Sequence, residues 1–181
     1  PTRTEALVRN GSPFDVSTLD AERTRVSTLL RNNGYFYYQP DYATYLADTI
    51  AEPGKAQLRL HYADSLPSLV SRQWYVGRIN LEMRRSAMQE LTDTVRRRNY
   101  TMIYSGKRPP IRRSAITRDL KLRPRQLYSY ANYQQSINTL TAKGLFSRDD
   151  LSFAPRDTTP TCDTLDMTIN CVFDKPYDIY L

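Results

Sequence analysis

Two stretches of this chain place apolar side chains at helical spacing: Leu19, Val26, Leu29 and Leu30 in one, and Tyr130, Tyr133, Ile137 and Leu140 in the other. Steps of three, four and seven residues line one face of a helix, so each stretch predicts an amphipathic helix. Ser17, with Asp20 three residues on, is the expected N-cap of the first, and Ser129 that of the second. Both helices are expected to stop at a glycine, Gly34 and Gly144, where a residue without a β-carbon takes the left-handed conformation cheaply. The chain then turns into extended residues beginning Tyr35-Phe36 and Leu145-Phe146, and the two copies lie 110 residues apart.

Between the helices the period switches to two. A tyrosine-rich strand is expected over about 35–47, followed by the turn Glu52-Pro53-Gly54-Lys55 and a strand in which Ala56, Leu58, Leu60 and Tyr62 alternate with Gln57, Arg59 and His61. A second alternating run, Trp74 to Met83, opens the other half. Its closing hairpin pairs about 147–155 with about 163–173, where Leu165, Met167, Ile169, Cys171 and Phe173 share a face. The remainder reads as a helix tail over 3–9 closed by Asn10-Gly11, a polar and basic stretch over 84–98 that is in part helical, an extended piece over 100–104 and a short helix over 113–120.

The order is thus helix, helix, strand, strand in the first half and strand, helix, helix, strand, strand in the second. One βααββ unit present twice, first without its opening strand, accounts for both, and a period this long means a repeated small domain rather than a solenoid. The expected class is α+β, a helix pair packed on a small mixed sheet in each unit. The expected domains are 1–66 and 73–181, joined by a linker within 64–72, the second carrying an insertion at about 84–110.

Charge sharpens this picture. The chain of 181 residues is +7, yet residues 84–125 alone hold 13 Lys or Arg against three acids, and 21 of the 26 basic residues are arginine, whose forked donors suit phosphate and carboxylate. The candidate basic patch comprises Arg84, Arg85, Arg96, Arg97, Arg98, Lys107, Arg108, Arg112 and Arg113. It raises anionic lipid head groups or nucleic acid as alternative partners, although no nucleic-acid motif accompanies it. His61 is the single histidine, and Cys162 and Cys171 form no CxxC, so neither a zinc site nor a histidine-based catalytic dyad is expected. No catalytic, cofactor-binding or metal residues are expected and no cofactor is implied. Cys171 should be packed inside, with Cys162 too far along the chain from it to bridge. No run approaches the roughly 18 apolar residues of a membrane helix. A start without methionine and a stop just after a strong strand pattern read as a piece of a longer protein.

Gly11-Ser-Pro-Phe14, Leu19-Asp-Ala-Glu-Arg23 through Asn33-Gly34-Tyr35-Phe36, Tyr75-Val-Gly77-Arg-Ile79, Leu127-Tyr128-Ser129 and Gly144-Leu-Phe146 resemble, in order and spacing, the polypeptide-transport-associated (POTRA) domains of the BamA/TamA outer-membrane assembly family. The resemblance covers nearly the whole chain. It departs in the missing first strand, in the 84–110 insertion and at Arg123-Pro124-Arg125-Gln126, where the family commonly has a glycine. The resemblance implies a periplasmic, non-enzymatic module of a barrel-assembly or translocation protein, attached to the outer membrane through a barrel following Leu181. Its partners would be unfolded outer-membrane clients and accessory assembly subunits, taken up by strand addition at the first strand of each hairpin. In the first unit the candidate edge residues are Tyr37, Tyr38, Tyr42 and Tyr45. Whether the parent is a barrel-insertion machine, a translocation-module relative or a two-partner secretion porin stays open.

Overall fold

The computed structural model describes residues 5–142 and 150–173. The chain falls into two compact units, residues 1–72 and 73–181.

Unit 1 is built on helix α1, Val16–Asn32. Its N-cap is Asp15 rather than Ser17: the Asp15 carboxylate accepts the Ser17 and Thr18 backbone N–H groups at 3.2 and 3.0 Å and both their hydroxyls at 2.6 Å. A carboxylate can take four donors where the expected serine hydroxyl could take two. Those bonds, the Ser17 hydroxyl first, hold the Asp15 carboxyl down at about 2. Residues 5–9 are not helical, and Leu7 gives its N–H to the Glu22 carboxylate at 2.9 Å. Leu19, Val26, Leu29 and Leu30 are only half-buried, and the buried residues of α1 are Glu22 and Ser27.

Gly34 closes the helix with a φ of 91°. The strand expected from residue 35 starts eight residues later. Tyr35 to Tyr42 instead form turns, with Tyr38 N–H bonded to Tyr35 O and a 3-10 turn over Pro40–Tyr42. Pro40 has no N–H to give a ladder, which keeps this stretch out of a sheet. Strands β1 (Ala43–Asp48) and β2 (Gln57–Tyr62) then pair antiparallel from Ala43↔Tyr62 to Asp48↔Gln57.

Unit 2 holds a five-stranded sheet where three strands were expected. Its strands are β3 (Tyr75–Arg84), β4 (Asp93–Arg96), β5 (Tyr100–Tyr104), β6 (Leu151–Pro155) and β7 (Thr164–Val172), in the order β4-β5-β3-β7-β6. β3 runs parallel to both β5 and β7, and the other pairs are antiparallel. The stretch expected to be partly helical holds β4 and the turn to β5. β-Branched Thr94 and Val95 favour the strand, and the Asp93 carboxylate accepts Gly106 N–H at 3.0 Å to tie the hairpin's open end.

Helix α2 is shorter than expected, Arg113–Thr117, and α3 spans Tyr130–Thr141 with Ser129 as its cap, accepting Asn132 N–H at 3.4 Å. The expected stop at Gly144-Leu145-Phe146 and the start of the last hairpin lie outside the described residues. Ser136 accepts Lys121 N–H at 2.8 Å, and the Tyr133 ring packs on Phe153 of β6 at 5.7 Å, so α3 is tied to the segment after α2 and to the sheet. The core comprises Trp74, Val76, Ile79, Leu81 and Met83 with Leu165, Met167, Ile169 and Cys171, along with Leu120, Ile137 and Leu140. Omitting the β4–β5 hairpin, the order β3, α2, α3, β6, β7 is the expected βααββ unit. Unit 1 contributes one helix and a hairpin among the described residues.

Candidate strand-accepting edges and arginine clefts

In unit 1 the bond from Ala63 N–H to Tyr42 O, 3.1 Å, sets the phase of the β1–β2 ladder. Bonded pairs alternate with unbonded ones in an antiparallel ladder, so Thr44, Leu46 and Asp48 turn their backbone groups toward β2. Ala43, Tyr45 and Ala47 turn theirs outward, as do Leu58, Leu60 and Tyr62 on β2. Arg23 of α1 already occupies one such group, donating from Nε to Ala43 O at 2.6 Å, and reaches Pro40 O and Asp41 as well. No third strand lies beside either β1 or β2 among the described residues.

The four candidate tyrosines do not share this edge. Tyr45 alone lies on β1, half-buried, where burial and the Glu22 carboxylate push its hydroxyl pKa up. Tyr42 ends the 3-10 turn with its ring 5.8 Å from Tyr38, which is buried and likewise shifted up by burial. Tyr37 stands edge-on to Phe36 at 4.8 Å. The turn chemistry at Pro40 thus places three of the four ahead of the strand. His61 faces outward on β2, 3.8 Å from Asp64.

The basic residues divide between the two ends of the unit 2 sheet. At one end stand Arg84, Arg85, Lys107 and Arg108. Arg84 is engaged with Glu82 and Asn170, whereas Lys107 and Arg108 are exposed. At the other end the β4–β5 turn carries Arg97 and Arg98, exposed, and Arg113 lays its guanidinium 4.7 Å from the centre of the Tyr100 ring. Arg96 lies on β4, and Arg112 precedes α2.

Two clefts flank that turn. One, of about 410 Å³, is lined by Arg97, Arg98, Tyr100, Met102 and Arg113. The other, of about 390 Å³, collects Arg78, Arg98, Arg125 and Arg156 around Gly77 and Asp163. Arg78, Arg125 and Arg156 were not among the candidates, because only the parallel β3–β7 pairing and a turn at 123–126 bring them together.

The floor of this second cleft is close-packed. The Asp166 Oδ1 atom accepts Arg78 N–H at 2.7 Å and Arg156 Nη2 at 2.7 Å, which raises the Arg156 pKa. It passes so near Gly77 that a β-carbon there would sit 2.1 Å from it, and the β3–β7 register shifts at this point. The wall is a turn closed by Gln126 N–H to Arg123 O, with Pro124 and Arg125 at its centre and Arg125 at φ 70°. Proline followed by a positive φ is the type II pattern, which prefers glycine or asparagine at the second central place. Arg125 therefore adopts a conformation that glycine or asparagine would take at lower cost. Bonds from Arg125 N–H to Val76 O, 2.7 Å, and from Val76 N–H to Gln126 O, 2.8 Å, pin it to β3.

Among the described residues no helix is long and apolar enough to cross a membrane, and no group of three His, Cys, Asp or Glu could hold a metal. Against solved structures, 93% of the chain superposes on a crystal structure of BamA from Haemophilus ducreyi lacking POTRA domains 1–3, with a TM-score of 0.58 and 13% identity. The fold is that of POTRA domains. The chain spans 26% of that BamA chain. POTRA1–3 of the periplasmic domain of Omp85 from Anabaena align over 98% of this chain and 58% of theirs, at 16% identity and a TM-score of 0.41. POTRA3–5 of Haemophilus influenzae BamA align over 90% and 83%, at 10% identity and 0.30. No protein-family model and no curated protein matches the sequence. β3, α2, α3, β6 and β7 follow the βααββ order of a POTRA-like unit, with the β4–β5 hairpin between β3 and α2.

Proposed function

We propose that this chain is a periplasmic, non-enzymatic polypeptide-binding module of an outer-membrane β-barrel assembly or translocation protein. It receives extended client segments or an accessory subunit by strand addition. The POTRA fold supports the class, and the observation that carries the reading is the two-stranded sheet of unit 1, whose outward ladder groups at Tyr45, Ala47, Leu58, Leu60 and Tyr62 have no strand beside them among the described residues. An unpaired edge bonds the backbone of an incoming strand and so reads conformation more than sequence. Each bond contributes about 0.5–1.5 kcal/mol net, so a short augmenting strand binds weakly and leaves readily, which suits hand-over rather than storage. Exposed Leu46 and Tyr62 add apolar area for alternate side chains.

The test uses proline. Ala47→Pro and Leu60→Pro each remove an outward N–H while sparing the β1–β2 bonds. Binding of a fluorescent peptide with alternating apolar residues, followed by polarisation, should weaken in both. Failure of the unaltered chain to bind any such peptide, or undiminished binding by both variants, would overturn the proposal.

A further inference from the structure

We propose that the cleft between the β4–β5 turn and the 123–126 turn is a binding site for a phosphate group, carried on a lipid head group or free as a soluble anion. Its walls bring Arg78, Arg98, Arg125 and Arg156 together from four separate segments, with Asp163 the one acid among the lining residues. Asp166 beneath it neutralises Arg156; Asp163, which accepts the Thr164 hydroxyl, keeps its charge, so the cleft sets three further arginines against one acid. The charges of Arg98 and Arg125 have no carboxylate partner among the described residues. Among the described residues the Arg78 guanidinium reaches only the Arg97 carbonyl and the Thr101 hydroxyl, at 3.4 and 3.5 Å, contacts at the limit of hydrogen bonding. Three arginines against one carboxylate leave the cleft an excess of positive charge, and a forked guanidinium suits phosphate oxygens.

The backbone points the same way. Arg125 occupies a turn position where a β-carbon is disfavoured, and two bonds to Val76 hold it there. A conformation kept against its local preference, with its side chain at a charged cleft, is the signature of a site rather than of a solvated surface. A cleft of about 390 Å³ suits one phosphate-bearing group, and Lys107 and Arg108 stand apart from it at the opposite end of the sheet. The inference concerns unit 2 and stands independently of strand addition in unit 1.

The experiment measures binding of the whole chain to inorganic phosphate and pyrophosphate by calorimetry, and to phosphatidylcholine vesicles with and without phosphatidylglycerol by flotation. Arg98→Gln and Arg125→Gly should each weaken binding about tenfold, the effect of losing one charge-assisted contact. Lys107→Gln with Arg108→Gln should change it less than about twofold. Arg125→Gly should leave the thermal midpoint unchanged or higher, so its loss of binding cannot come from unfolding. Binding of the free anions with this pattern identifies a soluble ligand, and binding of the anionic vesicles alone identifies a lipid head group; either supports the site. Binding of neither, equal binding by the arginine variants, or an equal loss in the Lys107/Arg108 variant would overturn it.

Discussion

Gly77→Ala tests how closely the cleft floor is packed. The added methyl would lie 2.1 Å from Asp166 Oδ1, 2.7 Å from Arg156 Nη2 and 2.7 Å from Thr164 Cγ2. Arg156 can swing away at small cost because its guanidinium is half exposed. Asp166 cannot, since moving it breaks the bond from Arg78 N–H, and a backbone donor losing a charged partner costs about 1.5–3 kcal/mol. Forcing β3 away from Thr164 adds an overpacking cost of about 1–3 kcal/mol. The sum is about 2.5–6 kcal/mol, which at a urea dependence of about 1.5 kcal/mol per M lowers the midpoint by about 1.7–4 M. Trp74, the only tryptophan and fully buried in unit 2, gives a fluorescence signal for this unit alone. If Asp166 is the obstacle, Gly77→Ala in an Asp166→Ala background should cost less than in the parent, by about 1–3 kcal/mol. A midpoint shift below about 0.3 M, or costs that simply add, would refute the argument.

In unit 1, Arg25 holds the buried Glu22 carboxyl below the usual glutamate range against the opposing effect of burial. Its stabilisation is therefore present above that range and lost as pH falls through the depressed folded value, so amide protection of α1 should drop on acidification, and Glu22→Gln should flatten that dependence. Burial pushes the Cys171 thiol up to about 12, so a thiol reagent at mildly alkaline pH should modify it no faster than unit 2 unfolds; rapid native-state labelling would contradict the packing. Amides of β2 should exchange faster than those of β7, which has a strand on each side, and equal protection would mean that something covers β2.

What could be read in the sequence was what repeats. The α1 and α3 periods, the Ser129 cap and the alternation from Trp74 and from Leu165 carry their signals within a dozen residues, and each element formed where expected. The misreadings were competitions between neighbours. Asp15 outbid Ser17 because a carboxylate holds more donors than a hydroxyl, and Pro40 turned a tyrosine-rich run into turns before it could pair. β4 escaped because four residues, three of them polar, are too short a run to show a period of their own and are a strand only because β5 is beside them. The arginine cleft was illegible for the same reason at larger scale, since Arg78 and Arg156 are far apart in the chain and meet only through strand register. The 123–126 linker left a trace, since the resemblance leads one to expect a glycine in it, but the destination of the Arg125 side chain required the fold.

The β4–β5 hairpin also changes what unit 2 offers to other copies of itself. Without it, β3, the longest strand at ten residues, would be the sheet's outer margin and a template for edge-to-edge polymerisation. With it, the margins among the described residues are β4, four residues including Asp93 and Arg96, and β6, five residues ending at Pro155. Short, charged and proline-ended strands recruit poorly. The hairpin is thus a stopper, letting many copies crowd together without zipping into fibres through the unit that has the most strand to share.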